Sequence, residues 1–380
     1  MTTNTNEIDS FDFFNLKDKL LRGVYSYGFE CPSIIQQQSI PPILEKRDLI
    51  AQAPSGTGKT GSFTIGILQM IDETMNRVQA ILVAPTRELA CQINSVILSL
   101  GTYMELKTCL AIGGVNINDN LRDVKNSHVL VGTPGRICDL INKDAFDLRY
   151  IKILTMDEAD ELLRQDFINQ IKKIIQRIPQ NTQICLYSAT LPDDLMDITS
   201  KFMNNPVQIL VEPEKLSLEG IKQYYVDVSR EQWKFDTLVD LYKSLKISQS
   251  IIFVNTIDKC IYLHDKLTEN NHTVSMIHGQ LSAIERNEVM RQFRVGNCRI
   301  LIATDILARG IDVQHVNMVI NYDLPSKNES YLHRIGRSGR YGRKGTAINL
   351  IIEKTKRHLS DIANLYGATI DPLPRDISNI

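Results

Sequence analysis

Three carboxylates follow an apolar run near the middle of the chain. Residues 151–160 read Ile-Lys-Ile-Leu-Thr-Met-Asp-Glu-Ala-Asp. Such a run predicts a buried parallel strand, and open α/β sheets place their ligands at the carboxyl ends of their strands. Asp157 could hold a metal ion there, and Glu158 could orient or deprotonate a water molecule. These carboxylates could equally begin a solvated helix, and the stretch by itself leaves both interpretations open.

A glycine-rich loop offers a complementary site for phosphate. Residues 53–60 read Ala-Pro-Ser-Gly-Thr-Gly-Lys-Thr and lie between a short apolar strand and an apolar helical pattern, as a phosphate-binding loop requires. Glycines let backbone N–H groups approach phosphates, and the helix N-terminus adds partial positive charge. Lys59 would reach the β- and γ-phosphates, and the Thr60 hydroxyl would hold Mg²⁺. Ala53 stands where the strict motif has glycine, and Pro54 lacks an N–H, so the cradle loses one donor.

Strands that alternate with helical patterns must position these motifs. The alternation predicts, in both halves of the chain, a parallel sheet covered by helices. Glycine or polar residues follow most strands, and each such end could also be an ordinary helix cap. Besides the apolar part of 151–160, the predicted strands are residues 48–53, 80–84, 129–131, 183–187 and 207–211, then 250–254, 274–277, 299–303, 318–321 and 347–352.

Length and composition favour two soluble domains. The chain has 380 residues, more than an ordinary single domain, and 43% of them are hydrophobic. Its formal net charge of −1 argues against binding of nucleic acid by bulk charge, but not against a local basic cleft. The seven cysteines form no C-x-x-C pair and the seven histidines show no ligand spacing, which predicts a reducing compartment and no structural metal. Without a signal peptide or a run that could span a bilayer, we expect a soluble intracellular protein.

The motifs divide the chain into two parts. We expect a flexible N-terminus at residues 1–10, a nucleotide-binding domain at 11–211, a linker at 212–220 that carries charge, Pro and Gly, and a second domain at 221–380. The second domain has no phosphate-binding loop. It carries residues 333–340, His-Arg-Ile-Gly-Arg-Ser-Gly-Arg, whose arginines could each bind two phosphate oxygens or could form a solvated basic face.

Together the motifs predict a nucleotide in a cleft between the two domains. Asp157 would position Mg²⁺, in part through water, and Glu158 would act on the attacking water. Arg337 and Arg340 would stabilise charge on the leaving γ-phosphate, so that hydrolysis would depend on closure of the domains. Asp160 would bond the segment that follows the strand 183–187, which would tie the state of the nucleotide to the grip on a second ligand.

The remaining strand ends suggest what that second ligand is. Their residues are small, hydroxylic or basic, which suits contacts to a phosphate-sugar backbone without reading of bases. The candidates are Thr86, Arg87, Gly113, Gly114, Thr133, Arg136, Asn255, Thr256, Gly279 and Thr304.

In their order along nearly the whole chain, these motifs resemble those of the DEAD-box RNA helicases. The resemblance implies two tandem RecA-like domains, RNA-stimulated ATP hydrolysis and local, non-processive strand separation. It also implies that Gln36 reads adenine through its amide, that Phe29 lies against the base, and that Asp312 contacts the ribose end of the nucleotide. The matching residues are Phe11, Phe29, Gln36, 55–60, 85–89, 113–114, 133–136, 157–160, 188–190, 304–305, 308–312 and 333–340.

The resemblance also completes the residue sets. With Gln36 and Phe29, the implied nucleotide site contains Cys31, Ser55, Gly56, Thr57, Gly58, Lys59, Thr60 and Asp312. Pro85 joins the residues that contact RNA. The implied coupling residues, between hydrolysis and RNA binding, are Asp160, Ser188, Thr190 and His333.

Within the family, the initiation factor 4A subfamily is most similar. That similarity implies a cytoplasmic monomer that unwinds messenger leader structure on a HEAT-repeat scaffold with other initiation factors. Two alternatives remain open, an ATP-held RNA clamp of the exon-junction type and a factor in ribosomal RNA maturation, and either of them would be nuclear or nucleolar. A nucleotide-binding scaffold without RNA is disfavoured by the hydroxylic and basic strand ends. Pro54, Gln280 and Ala283 depart from the subfamily pattern, the last two near the expected RNA face.

Overall fold

The computed structural model describes residues 9–54, 56–191, 193–210, 221–245, 247–305, 316–338 and 345–374. The chain forms two compact units. The first contains the elements up to residue 209, and the second those from residue 221 onward. Residues 1–8 and the predicted linker at 212–220 lie outside the described residues, so the predicted domain boundaries stay predictions.

The first unit is built on one sheet of seven strands, in which every strand pair is parallel. The order across the sheet is β3-β4-β2-β5-β6-β1-β7. Strands β2, β4, β5 and β6 are buried along their whole length, as expected for apolar runs covered on both faces. The strands are β1 Leu49–Gln52, β2 Ala80–Val83, β3 Thr108–Ala111, β4 Val129–Gly132, β5 Ile153–Asp157, β6 Gln183–Ser188 and β7 Val207–Ile209.

Nine helices accompany this sheet among the described residues. They are α1 Asp18–Ser26, α2 Ile34–Leu44, α3 Lys59–Met70, α4 Arg87–Leu100, α5 Ile117–Asp123, α6 Pro134–Asn142, α7 Ala159–Leu162, α8 Gln165–Arg177 and α9 Asp193–Thr199. Short 3-10 helices span Phe11–Phe14, Val124–Asn126 and Leu148–Tyr150. Helix α3 is buried almost all round, and two lysines meet its last carbonyls. Lys17 Nζ donates to Ile71 O at 2.5 Å, and Lys152 Nζ donates to Met70 O at 3.1 Å.

The second unit repeats the plan with a second seven-stranded parallel sheet, in the order β10-β11-β9-β12-β13-β8-β14. Its strands are β8 Ile221–Ser229, β9 Ser250–Val254, β10 Val274–Ile277, β11 Ile300–Thr304, β12 Met318–Asn321, β13 Gly345–Ile352 and β14 Asp371–Pro372. Its described α-helices are α10 Lys234–Ser244, α11 Ile257–Glu269, α12 Ala283–Arg294, α13 Asn328–Ile335 and α14 Lys356–Leu365, with 3-10 helices at Glu231–Trp233 and Glu353–Thr355. None of the helices within the described ranges has both the length and the apolar character needed to cross a membrane.

The predicted parallel, helix-covered sheets are confirmed, and three strands were missed. Strand β3 lies at the edge of its sheet and alternates between buried and half-buried residues. Strand β8 reads Ile-Lys-Gln-Tyr-Tyr-Val-Asp-Val-Ser, so it lacks the apolar run that marks the central strands. Strand β14 is only two residues long. All three lie at or next to a sheet edge, where burial demands less apolar sequence.

Candidate functional site

The phosphate-binding loop joins β1 to α3 with two glycines in left-handed conformation. Gly56 has φ of 84° and Gly58 has φ of 101°, values that side chains with a Cβ rarely adopt. Lys59 is 9% exposed, and its Nζ donates to the backbone carbonyl of Ala53 at 2.7 Å. The lysine therefore folds back over the loop that it follows. Thr57 and Thr60 are half-buried beside it, and the predicted Ser55 lies outside the described residues.

Gln36 fastens the start of α2 to the start of α3. Its Oε1 accepts from the backbone N–H of Ser33 at 2.9 Å, and its Nε2 donates to the Gly58 carbonyl at 3.3 Å. A Cβ placed on Gly61 would lie 2.7 Å from Gln36 Nε2 and 2.8 Å from Phe29 Cε2. The first turn of α3 thus needs glycine to let the Gln36 amide and the Phe29 ring approach its backbone.

Two further aromatic rings pack against Phe29. Phe29 stacks on Phe11 with ring centroids 6.0 Å apart and an angle of 16° between their planes, and Tyr27 meets Phe29 edge-on at 4.9 Å. Cys31, predicted for the same site, is exposed. A flat apolar surface beside an amide has the chemistry to bind a heteroaromatic base.

The acidic strand end is buried, which rules out a solvated helix start. Asp157 and Glu158 are 4% and 6% exposed, and the Glu158 N–H donates to Asp157 Oδ1 at 3.0 Å. Glu158 adopts φ of 53°, a left-handed conformation that is uncommon for residues other than glycine and is often found at functional sites. Helix α7 begins directly afterwards at Ala159.

Burial raises the pKa of Asp157 to about 6, an effect opposed by the Lys59 ammonium and reinforced by the Glu158 charge. In the sheet order only β6 separates β5 from β1, so the acidic end of one strand and the phosphate loop of the other emerge about 10 Å apart at one edge. A cation bound beside Asp157 would stabilise its ionised form and so offset the effect of burial. The residues present therefore fit a magnesium-nucleotide complex.

A buried hydrogen bond connects the acidic segment to the end of β6. Thr190 Oγ1 donates to Asp160 Oδ2 at 2.9 Å, and the Thr190 N–H donates to Ser188 Oγ at 3.3 Å. All three residues are at least nine-tenths buried. Asp160 and the residues after β6 are thus in direct contact, whereas their role in coupling stays a prediction.

Strands β2, β4 and β3 are neighbours in the first sheet, and predicted RNA residues follow each of them. Arg87 follows β2, Arg136 follows β4 and Gly113 follows β3. Arg87 begins α4 and lies on Gly113, where an added Cβ would be 2.7 Å from its Nη2. Arg136, on α6, is held by Asn120 and Val115. The other predicted residues of this edge are Pro85, Thr86, whose hydroxyl caps α4, Gly114, with φ of 85°, and Thr133, the N-cap of α6.

In the second sheet, the predicted RNA residues follow strands β9, β11 and β10. These strands hold the same places in their sheet as β2, β4 and β3 hold in the first. Thr256 caps α11, Gly279 is exposed, and Thr304 ends β11 with 6% exposure. Asn255 is different, because its side chain already has structural partners. Its Nδ2 donates to Leu324 O at 2.8 Å, and its Oδ1 accepts from Arg334 Nη2 at 2.8 Å.

Arg334 is a residue that the sequence reasoning missed. It is 0% exposed and donates to Asp305 Oδ1 at 2.5 Å and to the Asp323 carbonyl at 2.6 Å. It therefore ties strand ends together and does not belong to a basic surface. Its position three residues after Tyr331, which is also buried, was the signal that could have identified it, because residues three apart share one face of a helix.

The remaining predicted residues of 333–340 are partly described. Arg337 is 4% exposed and donates from Nε to the His333 carbonyl at 2.9 Å, and His333 is 1% exposed. Arg340 and, earlier in the chain, Asp312 lie outside the described residues.

Known proteins are similar to this chain in sequence and in fold. The DEAD/DEAH box helicase family matches residues 33–198, and the helicase conserved C-terminal domain matches residues 233–342. The chain is 50% identical over 374 residues both to ATP-dependent RNA helicase eIF4A of Mycosarcoma maydis and to Eukaryotic initiation factor 4A of Caenorhabditis elegans, with coverage of 98% of this chain and of 91% and 93% of theirs. It superposes on S. cerevisiae Dbp5 bound to RNA and ADP BeF3 with a TM-score of 0.90 and 36% identity, over 97% of this chain and 96% of that one. The two sheets are therefore tandem RecA-like domains, and the chain belongs to the DEAD-box helicase family.

Proposed function

We propose that this protein is an ATP-dependent RNA helicase that uses RNA-stimulated ATP hydrolysis to separate short RNA duplexes. The observation that carries the proposal is the burial of Asp157 and Glu158 at the end of β5, where the Lys59 charge acts on Asp157. A phosphate-binding lysine and a buried acidic pair at one sheet edge are the parts that phosphoryl transfer requires. The names of the helicase relatives and the RNA complex of Dbp5 support ATP and RNA as ligands.

The nucleotide would be bound by the first unit. Lys59 and the backbone N–H groups of residues 55–60 would hold the phosphates, and Gln36 and Phe29, with Cys31, would hold adenine. The close approach of Gln36 and Phe29 to Gly61 supports this pocket, since it leaves the loop and the rings side by side. Asp312 keeps its proposed place at the ribose end.

Magnesium-bound ATP would supply the phosphoanhydride bond that is cleaved and a positive charge that offsets its negative oxygens. Thr60 and Asp157 would hold the Mg²⁺, in part through water. The Glu158 carboxylate would orient the attacking water and accept its proton. Arg337 and Arg340 would stabilise the charge that develops on the transferred phosphoryl group.

RNA would be gripped by its backbone at the strand ends described above. Arg87 and Arg136 would bind phosphates, and the threonine hydroxyls and glycine backbones would contact sugar and phosphate with little sequence preference. The hydrogen bond between Thr190 and Asp160 supports a link from the nucleotide to this grip, with Ser188 and His333 as further coupling residues.

We propose a role in translation initiation, in the cytoplasm, for a monomer that works with a HEAT-repeat scaffold and other initiation factors. The identity of 50% to initiation factor 4A proteins over 98% of the chain supports this role. We also propose domains at 11–211 and 221–380 joined by the linker 212–220, which agrees with two compact units divided near residue 210.

The decisive test combines phosphate release with duplex separation. We expect phosphate release to rise when single-stranded RNA is added, and Glu158→Gln to abolish that rise while ATP binding persists, a loss of about 100-fold or more for a missing general base. Glu161→Gln is the matched control, because Glu161 lies on α7 and pairs with Arg164. A wild-type protein whose phosphate release ignores RNA would refute the helicase proposal.

A further inference from the structure

Asn120 connects the edge strand of the first sheet to an arginine proposed to bind RNA. It lies on α5, is 4% exposed, and donates from Nδ2 to the Leu110 carbonyl of β3 at 3.0 Å. Its Oδ1 accepts from Arg136 Nη1 at 2.6 Å. Both ends of the buried amide are thus engaged, one on the sheet and one on the arginine.

Arg136 is held by neutral groups only. Besides Asn120, its Nη2 donates to the Val115 carbonyl at 2.8 Å. The aspartates of α5 do not take part, because Asp119 and Asp123 pair with Arg122 instead. Across the described part of the chain, Arg136 forms no ion pair with any carboxylate.

Hydrogen bonds to neutral oxygens hold a guanidinium in place without neutralising its charge. A carboxylate partner would cancel most of the field that attracts an anion, whereas amide and carbonyl oxygens orient the guanidinium plane and leave its net charge available. Two of the five N–H donors of Arg136 are occupied, which leaves three for a further ligand.

We infer that Asn120 is a positioning residue that presents Arg136, with its charge undiminished, to a phosphate of the RNA backbone. The inference rests on the RNA helicase function proposed above. It assigns to a buried amide, outside the strand ends, a share of the affinity for RNA.

The test measures affinity for a fluorescein-labelled single-stranded RNA by anisotropy, with a non-hydrolysable ATP analogue, over a range of salt concentrations. The variants are Asn120→Ala, Asn120→Asp and Arg136→Ala, with the double variant of Asn120→Ala and Arg136→Ala. Asn118→Asp is the matched control, because Asn118 is exposed on the same helix and adds the same charge without a contact to Arg136. Thermal unfolding and ATP affinity are measured on each variant.

We expect Asn120→Ala to weaken RNA binding about fivefold, the loss of one orienting hydrogen bond. Asn120→Asp should weaken it at least as much, because the new carboxylate would neutralise Arg136. Arg136→Ala should reduce the slope of log affinity against log salt by about 0.7, as for one phosphate contact to a single strand. Asn120→Ala should have no further effect in the Arg136→Ala protein, because Asn120 acts through Arg136.

Two results would overturn the inference while leaving the helicase function intact. One is an equal loss from Asn120→Ala with and without Arg136, which would show a general structural role. The other is a loss from Asn118→Asp as large as that from Asn120→Asp, which would show an unspecific field effect. A wild-type protein that does not bind RNA would instead refute the proposed function, and the inference with it.

Discussion

The Arg334 guanidinium lies 2.5 Å from the Asp305 carboxylate, and among the described residues Arg334 is the largest side chain that is completely buried. We expect Arg334→Ala to lower the free energy of unfolding by about 3–5 kcal/mol, because it leaves Asp305 and the Asn255 amide without their partner. Urea unfolding measures the change. Arg299→Ala is the control: Arg299 is exposed on the same unit, so its loss should stay within about 0.5 kcal/mol. Equal effects of the two substitutions would contradict the structural role of Arg334.

A second prediction concerns the glycine that faces the proposed adenine site. Gly61→Ala should weaken ATP binding about tenfold, because the new Cβ would lie 2.7 Å from Gln36 Nε2 and must displace the amide. Isothermal titration of an ATP analogue tests this. Gly135→Ala serves as control, since the nearest atom to its added Cβ is 3.8 Å away. Unchanged ATP affinity in Gly61→Ala would remove the reason for placing adenine beside Gln36.

A third prediction follows from the buried Asp157. Its native pKa of about 6 is higher than the ordinary aspartate value of 3.8, so between these two pH values the native state binds a proton that the unfolded state has lost. Asp157 therefore lowers the stability of the ligand-free protein as pH rises through 6. We expect Asp157→Asn to be about 1–3 kcal/mol more stable than wild type at neutral pH without Mg²⁺ and nucleotide, and the difference to shrink as the pH falls toward 4.

Urea unfolding at several pH values measures this difference, and Asp147→Asn supplies a control of opposite sign. Hydrogen bonds from Arg149 lower the pKa of the half-buried Asp147 to about 2, so its replacement should not stabilise the protein at neutral pH. An Asp157→Asn variant whose stability tracks wild type at every pH would mean that this carboxyl is not raised by burial.

A fourth prediction separates hydrolysis from duplex separation. Thr190→Val keeps the shape of the side chain but removes the hydrogen bond to Asp160. We expect RNA-stimulated phosphate release to persist while duplex separation falls about fivefold, since the loss of one buried hydrogen bond changes coupling by about 1 kcal/mol. Thr182→Val is a matched control, because Thr182 is also buried and donates to the Ile151 carbonyl at the other end of β6. Parallel loss of both activities in Thr190→Val would argue against a coupling role.

Much of the fold could be predicted because its central strands carry apolar runs. Strands β9, β10 and β12 have the predicted bounds, and β5 ends at Asp157 as its sequence indicates. The order of the strands could not be predicted, because pairing joins residues far apart in the chain, such as Asp157 with Tyr187. Edge strands such as β3 were not predicted, because a half-exposed strand needs few apolar residues.

In the candidate site, too, some residues could be predicted from the sequence and others could not. Local motifs predicted Lys59, Asp157 and Glu158, since a phosphate loop and an acidic strand end are each contiguous in sequence. Residues that act through distant partners were not accessible in this way. Asn120 and Arg334 acquire their roles only from groups that folding brings to them, the Leu110 carbonyl and Arg136 for one and Asp305 and Asn255 for the other.

Helix α3 is secured at both ends, by the phosphate loop at its start and by the ammonium groups of Lys17 and Lys152 at its last carbonyls. Positive charge at a helix C-terminus opposes fraying and complements the helix dipole. Helix α3 should therefore resist bending within its own unit. A load applied by phosphates at its N-terminus would therefore not be absorbed by bending of the helix. It would pass instead to the elements that pack against α3, which are α1, α2, α4 and β5.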